Sequence, residues 1–185
     1  MNILLTGGLG FIGSHTATVL AAEGHEVAII DNLCNSQWQA LDSLESITGK
    51  KLPFYEGDVR DVPLMKEILK KHHIECVIHF AGLKSVAESG ADPLKYFDNN
   101  VSGSVVLLEE MAKAGVTKFV FSSSATVYGS PGYPQFSETT PLAPINVYGK
   151  TKLMVEDILR DLKKSDPQWQ IALLRYFNPV GAHHS

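Results

Sequence analysis

Between an apolar run, NILLT (residues 2–6), and a helical pattern, FIGSHTATVLAAEG (11–24), the chain places glycines at 7, 8, 10 and 13. Gly7, Gly10 and Gly13 let the backbone turn tightly, come close to a diphosphate and seat a helix against a strand. The helix amino terminus then points unpaired N–H groups and its positive dipole end at whatever lies before the turn. An isolated glycine pattern has little weight, since glycines gather at any tight turn. Here a strand precedes it, a helix follows, and the next strand, EVAIID (26–31), ends in an acid. Asp31 stands 18 positions beyond Gly13. The spacing predicts a dinucleotide-binding strand–helix–strand unit.

The alternation continues. LPFYEGD (52–58) reads as a third strand, Val62–Lys71 as an amphipathic segment and CVIHFA (76–81) as a fourth strand. Asp92-Pro93 opens a long helix stopped by Gly115, with Leu94, Phe97, Val101, Val105 and Leu108 along its inner face. KFVFSSS (118–124) is a fifth strand, a helix around Tyr148 follows, and QIALLRYF (170–177) is a sixth. Continuous apolar strands alternating with helices imply a parallel sheet covered on both faces. The fold class is therefore α/β, a doubly wound, Rossmann-like sheet with ligands at the carboxyl ends of its strands. The irregular stretch YGSPGYPQFSETTPLAPIN (128–146) is long for a compact domain and reads as serving a site.

Composition removes several function classes. A net charge of −4 and a pI near 5.9 leave no basic stripe, so no nucleic-acid partner is expected. No segment reaches ~18 consecutive apolar residues and MNILLTGG lacks a signal-peptide pattern, so no membrane span and a cytoplasmic location are expected. Cys34 and Cys76 are too few for a disulfide framework or a four-ligand zinc site. His72-His73 and His183-His184 are adjacent pairs whose members point apart, so no metal is expected. Asn100-Val101-Ser102 matches a glycosylation triplet, read as chance without a secretory signal.

A carboxylate at Asp31 would accept hydrogen bonds from ribose hydroxyls and repel a 2′-phosphate, and DNLCNS (31–36) offers no Arg or Lys to neutralise one. NAD is favoured over NADP, although a strand-end Asp can also be a simple cap. Asp58, at the end of the third strand, suits an adenine amine and a plain loop role equally.

NVYGKTKLMVED (146–157) places Tyr148 and Lys152 one helical turn apart on one face. At ~5 Å and an effective dielectric near 20, the ammonium would stabilise the phenolate by about 3 kcal/mol. That is roughly two pKa units, which would bring Tyr148 towards neutrality as a general base for an alcohol proton. Ser124, at the end of the fifth strand, could hold the same hydroxyl or relay its proton. Each residue alone is commonplace, but all three at the mouth of one sheet are not.

These residues resemble the short-chain dehydrogenase/reductase superfamily, extended branch. With DNLCNS (31–36), HFAGLKSVAES (79–89), NNVSG (99–103), SSSATVYG (122–129), YGKTKLMVE (148–156) and LLRYFNPVGAH (173–183), the whole chain is similar to the amino-terminal half of the UDP-glucose (UDP-galactose) 4-epimerase family. The resemblance implies that residues 1–185 are an NAD-binding domain, a fragment of a longer epimerase whose carboxyl-terminal substrate domain is absent. Phe11 and Ile12 would lie over the pyrophosphate, where the family often has Tyr-Ile. Asp31, Asn32, Leu33, Cys34, Asn35 and Ser36 would surround the adenosine ribose, with Asp58 and Val59 at the adenine. Phe80, Ala81, Gly82, Lys84 and Asn99 would line the cofactor channel, Lys84 as a phosphate partner. Phe177 would approach the nicotinamide, while Asn178 would join Ser124 and Tyr148 at the sugar nucleotide. The implied reaction interconverts UDP-glucose and UDP-galactose through a 4-keto sugar, with no net redox, as in galactose metabolism. The resemblance also implies a homodimer through the Asp92–Gly115 and Tyr148 helices. A nucleotide-sugar 4,6-dehydratase is the nearest rival, but such enzymes usually carry Thr-Asp-Glu where this chain has Ser124-Ala125-Thr126. A non-catalytic NAD-binding regulator usually lacks the Tyr or the Lys, and a plain alcohol dehydrogenase would release NADH.

Overall fold

The computed structural model describes residues 1–130, 132 and 135–183, so His184, Ser185 and three residues of the long loop (131, 133 and 134) lie outside it. Six strands, β1 (Asn2–Thr6), β2 (Glu26–Asp31), β3 (Phe54–Glu56), β4 (Cys76–His79), β5 (Lys118–Ser124) and β6 (Gln170–Tyr176), form one sheet. All pairings are parallel, in the order β3-β2-β1-β4-β5-β6. The order reverses between β1 and β4, where a doubly wound sheet opens a crevice at its carboxyl edge.

Alternate strand residues feed two cores. On one face Val77, Phe119 and Phe121 pack with Met65, Ile68 and Leu69 of α3 (Val62–Lys71), Leu107 and Met111 of α6 (Gly103–Lys113), and Val155 and Leu159 of α7 (Val147–Ser165). On the other, Ile3, Leu5, Val27 and Ile29 pack with Ala17 of α1 (Phe11–Ala22) and Leu41 and Leu44 of α2 (Gln39–Thr48). α1 ends as expected, with Gly24 at φ +82° just past its cap.

Three boundaries differ from the sequence reading. β3 is confined to 54–56 because Pro53 has no N–H to donate, although its carbonyl accepts from Ile29 N at 2.8 Å. β4 stops at His79 because the N–H groups of Phe80 and Ala81 both fold back onto Thr6 O at 3.0 Å, which curls residues 80–84 across the sheet's mouth. The long helix is three pieces: α5 (Pro93–Tyr96), a π-helical turn (Phe97–Ser102) and α6, with Asp92 capping Lys95 N at 3.2 Å. The expected inner stripe is accordingly wrong at its start. Leu94 is 78% exposed, and Tyr96, Asn100, Ser104, Leu107 and Met111 face inward. The two polar members are tolerated because they are bonded. Asn100 ties Leu83 to Thr151, and Ser104 donates to Asn100 O at 2.6 Å. Two helices went unread, α2 and α4 (Val86–Ala91), the latter capped by Ser85 on Glu88 N. Among the described residues no helix is long and apolar enough to cross a membrane.

Candidate active site

A cleft of about 450 Å³ runs along the carboxyl edge of the sheet, bounded at one end by Asn32 and Asp58 and at the other by Tyr148, Phe177 and Asn178. It is lined by Gly7, Gly10, Phe11, Ile12, Gly13, Asp31, Cys34, Asn35, Ser36, Val59, Phe80, Ala81, Gly82, Lys84, Asn99, Ser124 and Lys152 as well. Leu33 departs from that set: at φ +57° its side chain packs against the core on the α1–α2 side of the sheet, and its N–H donates to Asp31.

Gly7 and Gly13 are required by the backbone around them. A Cβ on Gly7, whose φ is +66°, would stand 2.7 Å from Ala81 N, and one on Gly13 would stand 2.5 Å from Gly7 O. α1 begins with no side-chain cap and no acid in its first turn, unlike α3 and α7, which Asp61 and Asn146 cap. Its leading N–H groups thus face the cleft as anion donors. That donor set fits a diphosphate.

Asp31 shapes this end. One oxygen accepts Leu9 N at 3.0 Å; the other accepts Leu33 N at 3.0 Å and Ser36 Oγ at 2.8 Å. The residue is therefore a loop organiser, as the simple-cap reading has it, and it also lines the cleft as a candidate ribose partner. Asp58 is held by Arg60, whose side chain donates to both its oxygens at 2.8 Å, and by Asn32 at 3.1 Å. The guanidinium keeps its carboxyl at about 2. Arg60 was not legible as a site residue. It brings a cation beside Asn32, but its other arm pairs with Asp98, so both ends of the fork are already neutralised.

At the other end, β5 delivers Ser124 and the first turn of α7 delivers Tyr148, whose N–H donates to Ser89 Oγ at 3.2 Å. Burial raises the Tyr148 phenol, and the nearby Ser124 hydroxyl opposes that rise. Lys152 is 5% exposed and donates to Ser122 O at 2.8 Å. It sits 4.8 Å from the Phe121 ring centroid and 5.9 Å from that of Tyr148. Burial lowers it to about 8. The expectation that Lys152 pulls Tyr148 towards neutrality is thus corrected: the ammonium is held by a backbone carbonyl, desolvation dominates both groups, and the phenol moves up. His79 beneath them is neutral, lowered to about 3 by burial and the nearby ammonium, and bridges Thr6 Oγ1 (2.6 Å) to Ser104 Oγ (3.1 Å).

A second unread group supports the Tyr148 helix. Glu156 lies on the α7 face of Tyr148 and Lys152, is fully buried, and accepts from Ser123 Oγ (2.5 Å), Arg160 (2.6 Å) and Arg175 (3.0 and 2.8 Å). Arg175 also donates to Tyr128 Oη at 3.0 Å, and the Tyr128 ring stacks with Phe136 and Phe177. The repeat Tyr-x₃-Lys-x₃-Glu was the available signal, since i, i+4 and i+8 share a face. Phe177, 58% exposed, leans over the cleft from the end of β6. Among the described residues no group of three or more His, Cys, Asp or Glu is placed to hold a metal.

Proteins of known identity are similar to this chain in sequence and fold. The chain is 58% identical over 185 residues to a UDP-glucose 4-epimerase of Neisseria meningitidis serogroup A and 55% identical to that of Bacillus subtilis. It spans all of its own length but only 55% of each of those relatives. Among solved structures it superposes on UDP-glucose 4-epimerase from Stenotrophomonas maltophila, with bound NAD and formylated UDP-arabinopyranose, at a TM-score of 0.96 and 50% identity. It likewise matches the Bifidobacterium longum enzyme, in complex with NAD+ and UDP, at 0.96 and 51%. In both cases 99% of this chain and 55% of the other are covered. A family model matches residues 3–185, nearly the full length over which the glycine turn, Asp31 and the Ser124, Tyr148 and Lys152 constellation are laid out, and the chain belongs to the NAD dependent epimerase/dehydratase family.

Proposed function

We propose that this chain forms the NAD-binding part of a nucleotide-sugar 4-epimerase that interconverts UDP-glucose and UDP-galactose. The observation that carries the reading is the placement of Ser124, Tyr148 and Lys152 at one end of a cleft whose other end has the uncapped α1 turn and Asp31. Bound NAD would supply a hydride acceptor for C4 of the sugar and return the same hydride to the opposite face of the 4-keto sugar. The chain's residues hold and move the proton. Tyr148 takes it from the 4-hydroxyl as hydride leaves and gives it back as hydride returns, so atoms and electrons balance over the cycle. Ser124 steadies the same oxygens, the α1 N–H groups and Lys84 would hold the diphosphate, and Asp31 the adenosine ribose. Phe177 and its aromatic neighbours exclude water from the reacting end.

A 4,6-dehydratase needs an acid and a base for water elimination. Among the described cleft-lining residues the only carboxylates are Asp31 and Asp58, at the far end, and Thr126 stands beside Ser124. We assign the protein to the cytoplasm and to galactose metabolism. Assembly as a homodimer through the Asp92–Gly115 segment, which carries α5 and α6, and through α7 is supported by exposed Leu94 on α5 and Met154 on α7, and a monomeric mass for the full-length protein would refute it.

The test is conversion of UDP-galactose to UDP-glucose by this chain and by the chain extended with the matching carboxyl-terminal part of the Bacillus subtilis relative. The extended chain should turn over. Tyr148→Phe should retain NAD and lose about a thousandfold in rate. Near-normal turnover in that variant would refute Tyr148 as the base.

A further inference from the structure

Thr126 stands on the single 3₁₀ turn Ala125–Tyr128 and lines the cleft two residues beyond Ser124. Its N–H and its hydroxyl both donate to Ser124 Oγ, at 3.2 and 3.0 Å. The N–H bond is the cap of the turn, and almost any residue at 126 would supply it. The hydroxyl bond depends on the side chain. A serine oxygen offers two acceptor sites and one proton. With both sites filled by Thr126, the Ser124 proton is left to point outward, towards the cleft that Tyr148 also lines.

The backbone of Thr126 also seats the phenol's helix. A Cβ on Gly149, the residue after Tyr148, would stand 2.8 Å from Thr126 O, so the first turn of α7 rests against that carbonyl. One residue thus touches both Ser124 and the turn that carries Tyr148. From this geometry we infer that Thr126 is a positioning residue for proton transfer: its hydroxyl fixes Ser124 as a donor to the Tyr148 oxygen, which favours phenolate over phenol. A hydrogen bond to the charged form is the stronger one. The inference rests on the reaction proposed above. Of the charged and titratable groups, Lys152 lies 5.9 Å from the Tyr148 ring centroid with buried His79 next to it, Lys84 and Tyr176 line the same cleft, and Glu88 on α4, which packs against α7, is engaged by Lys95 and Tyr96. None of them bonds Thr126 in a way the substitution would alter.

The test is alkaline titration of phenolate absorbance in the 185-residue chain, with Tyr148→Phe as the blank so that the difference reports Tyr148. Thr126→Val keeps the branched shape without the hydroxyl and should raise the midpoint by about one pH unit. Thr126→Ser should restore it, which a purely space-filling role would not require. Ser124→Ala should raise the midpoint at least as far. In the extended chain, Thr126→Val should lower kcat about tenfold with KM nearly unchanged and shift the acidic limb of the pH–rate profile upward by the same unit. A midpoint unmoved by Thr126→Val but moved by Ser124→Ala overturns the role of Thr126 and leaves Tyr148 as the base. No movement in either removes the Ser124–Tyr148 bond itself, on which the proposed reaction draws. Should valine disturb the fold, Thr126→Ala makes the same comparison.

Discussion

Lys152→Met should make the folded chain more stable while weakening NAD binding. The ammonium is almost wholly buried, and burial lowers it from 10.5 to about 8. That difference of 2.5 units corresponds to about 3 kcal/mol of desolvation carried by the charged form at pH 7. Methionine has a similar length and no charge, so the cost disappears. The bond from Nζ to Ser122 O is lost too, worth about 1 kcal/mol net. The balance is a gain of about 2 kcal/mol, read in urea as a midpoint increase of about 1 M. The sign with pH follows from proton counting. Between pH 8 and 10.5 the folded chain sheds this proton before the unfolded chain does, so the unfolded state binds more protons and stability rises with pH. The parent should show that rise and Lys152→Met should not. Urea unfolding of both proteins at pH 7 and at pH 10 decides it. A variant less stable than the parent at pH 7, with no difference in slope across the window, would refute the desolvation argument.

Gly13→Ala would set a Cβ 2.5 Å from Gly7 O and 2.8 Å from Gly8 Cα, both backbone. Relief requires α1 to move away from the turn, so the change should cost roughly 1–3 kcal/mol of stability and at least about tenfold in NAD affinity by calorimetry; unaltered affinity would count against the diphosphate cradle. Glu156→Gln leaves Arg175 without its carboxylate and should lower stability by about 3 kcal/mol at pH 7. Burial pushes the Glu156 carboxyl up, but Arg175, Ser123 and Arg160 together outweigh it and hold it below 4.5. Its contribution is therefore present above pH 4.5 and lost as pH falls through the lower folded value, so the parent should lose more stability on acidification than the variant.

The fold was legible wherever one pattern dominated. NILLT and EVAIID have no helical alternative, and the glycine turn between them fixes the first crossover. The π-helical turn at Phe97–Ser102 was not legible, because nothing in FDNNVS marks an extra residue per turn. Its buried Asn100 draws on partners at 83 and 151 that are close only in the folded chain. α2 was a different failure, since Leu41, Leu44 and Gly49 at φ +66° carry ordinary helix and stop signals. The residues named from motifs line one cleft, but the charged groups that hold the frame around it were not legible. Arg60 stands only two positions beyond Asp58 and yet carried no signal of its own, while Arg175 reaches Glu156 from another segment, which no local spacing announces. The Tyr148–Lys152 spacing was right and the electrostatics drawn from it were not, because a two-charge estimate leaves out the desolvation of each charge.

That omission changes how the pair must work. In water a lysine and a tyrosine ionise at nearly the same pH. In this chain burial drives them apart, the phenol upward and the ammonium down to about 8, so the ammonium is the group poised near neutrality. On the same helix face Glu156 is also buried, yet four donor groups surround it and its charge is compensated. Lys152 has one carbonyl and two aromatic rings. A face that could satisfy one charge fully has left the other under-satisfied, and the under-satisfied one borders the cleft. Phenolate at Tyr148 would relieve both groups at once, since it supplies the missing anion for Lys152 and gains a cation and the Ser124 proton in return. The phenol is therefore held protonated in the folded chain, and positive charge brought into the cleft would favour its phenolate. Under the proposed reaction a bound cationic nicotinamide would supply such a charge, with Tyr148 and Lys152 as the residues that respond to it.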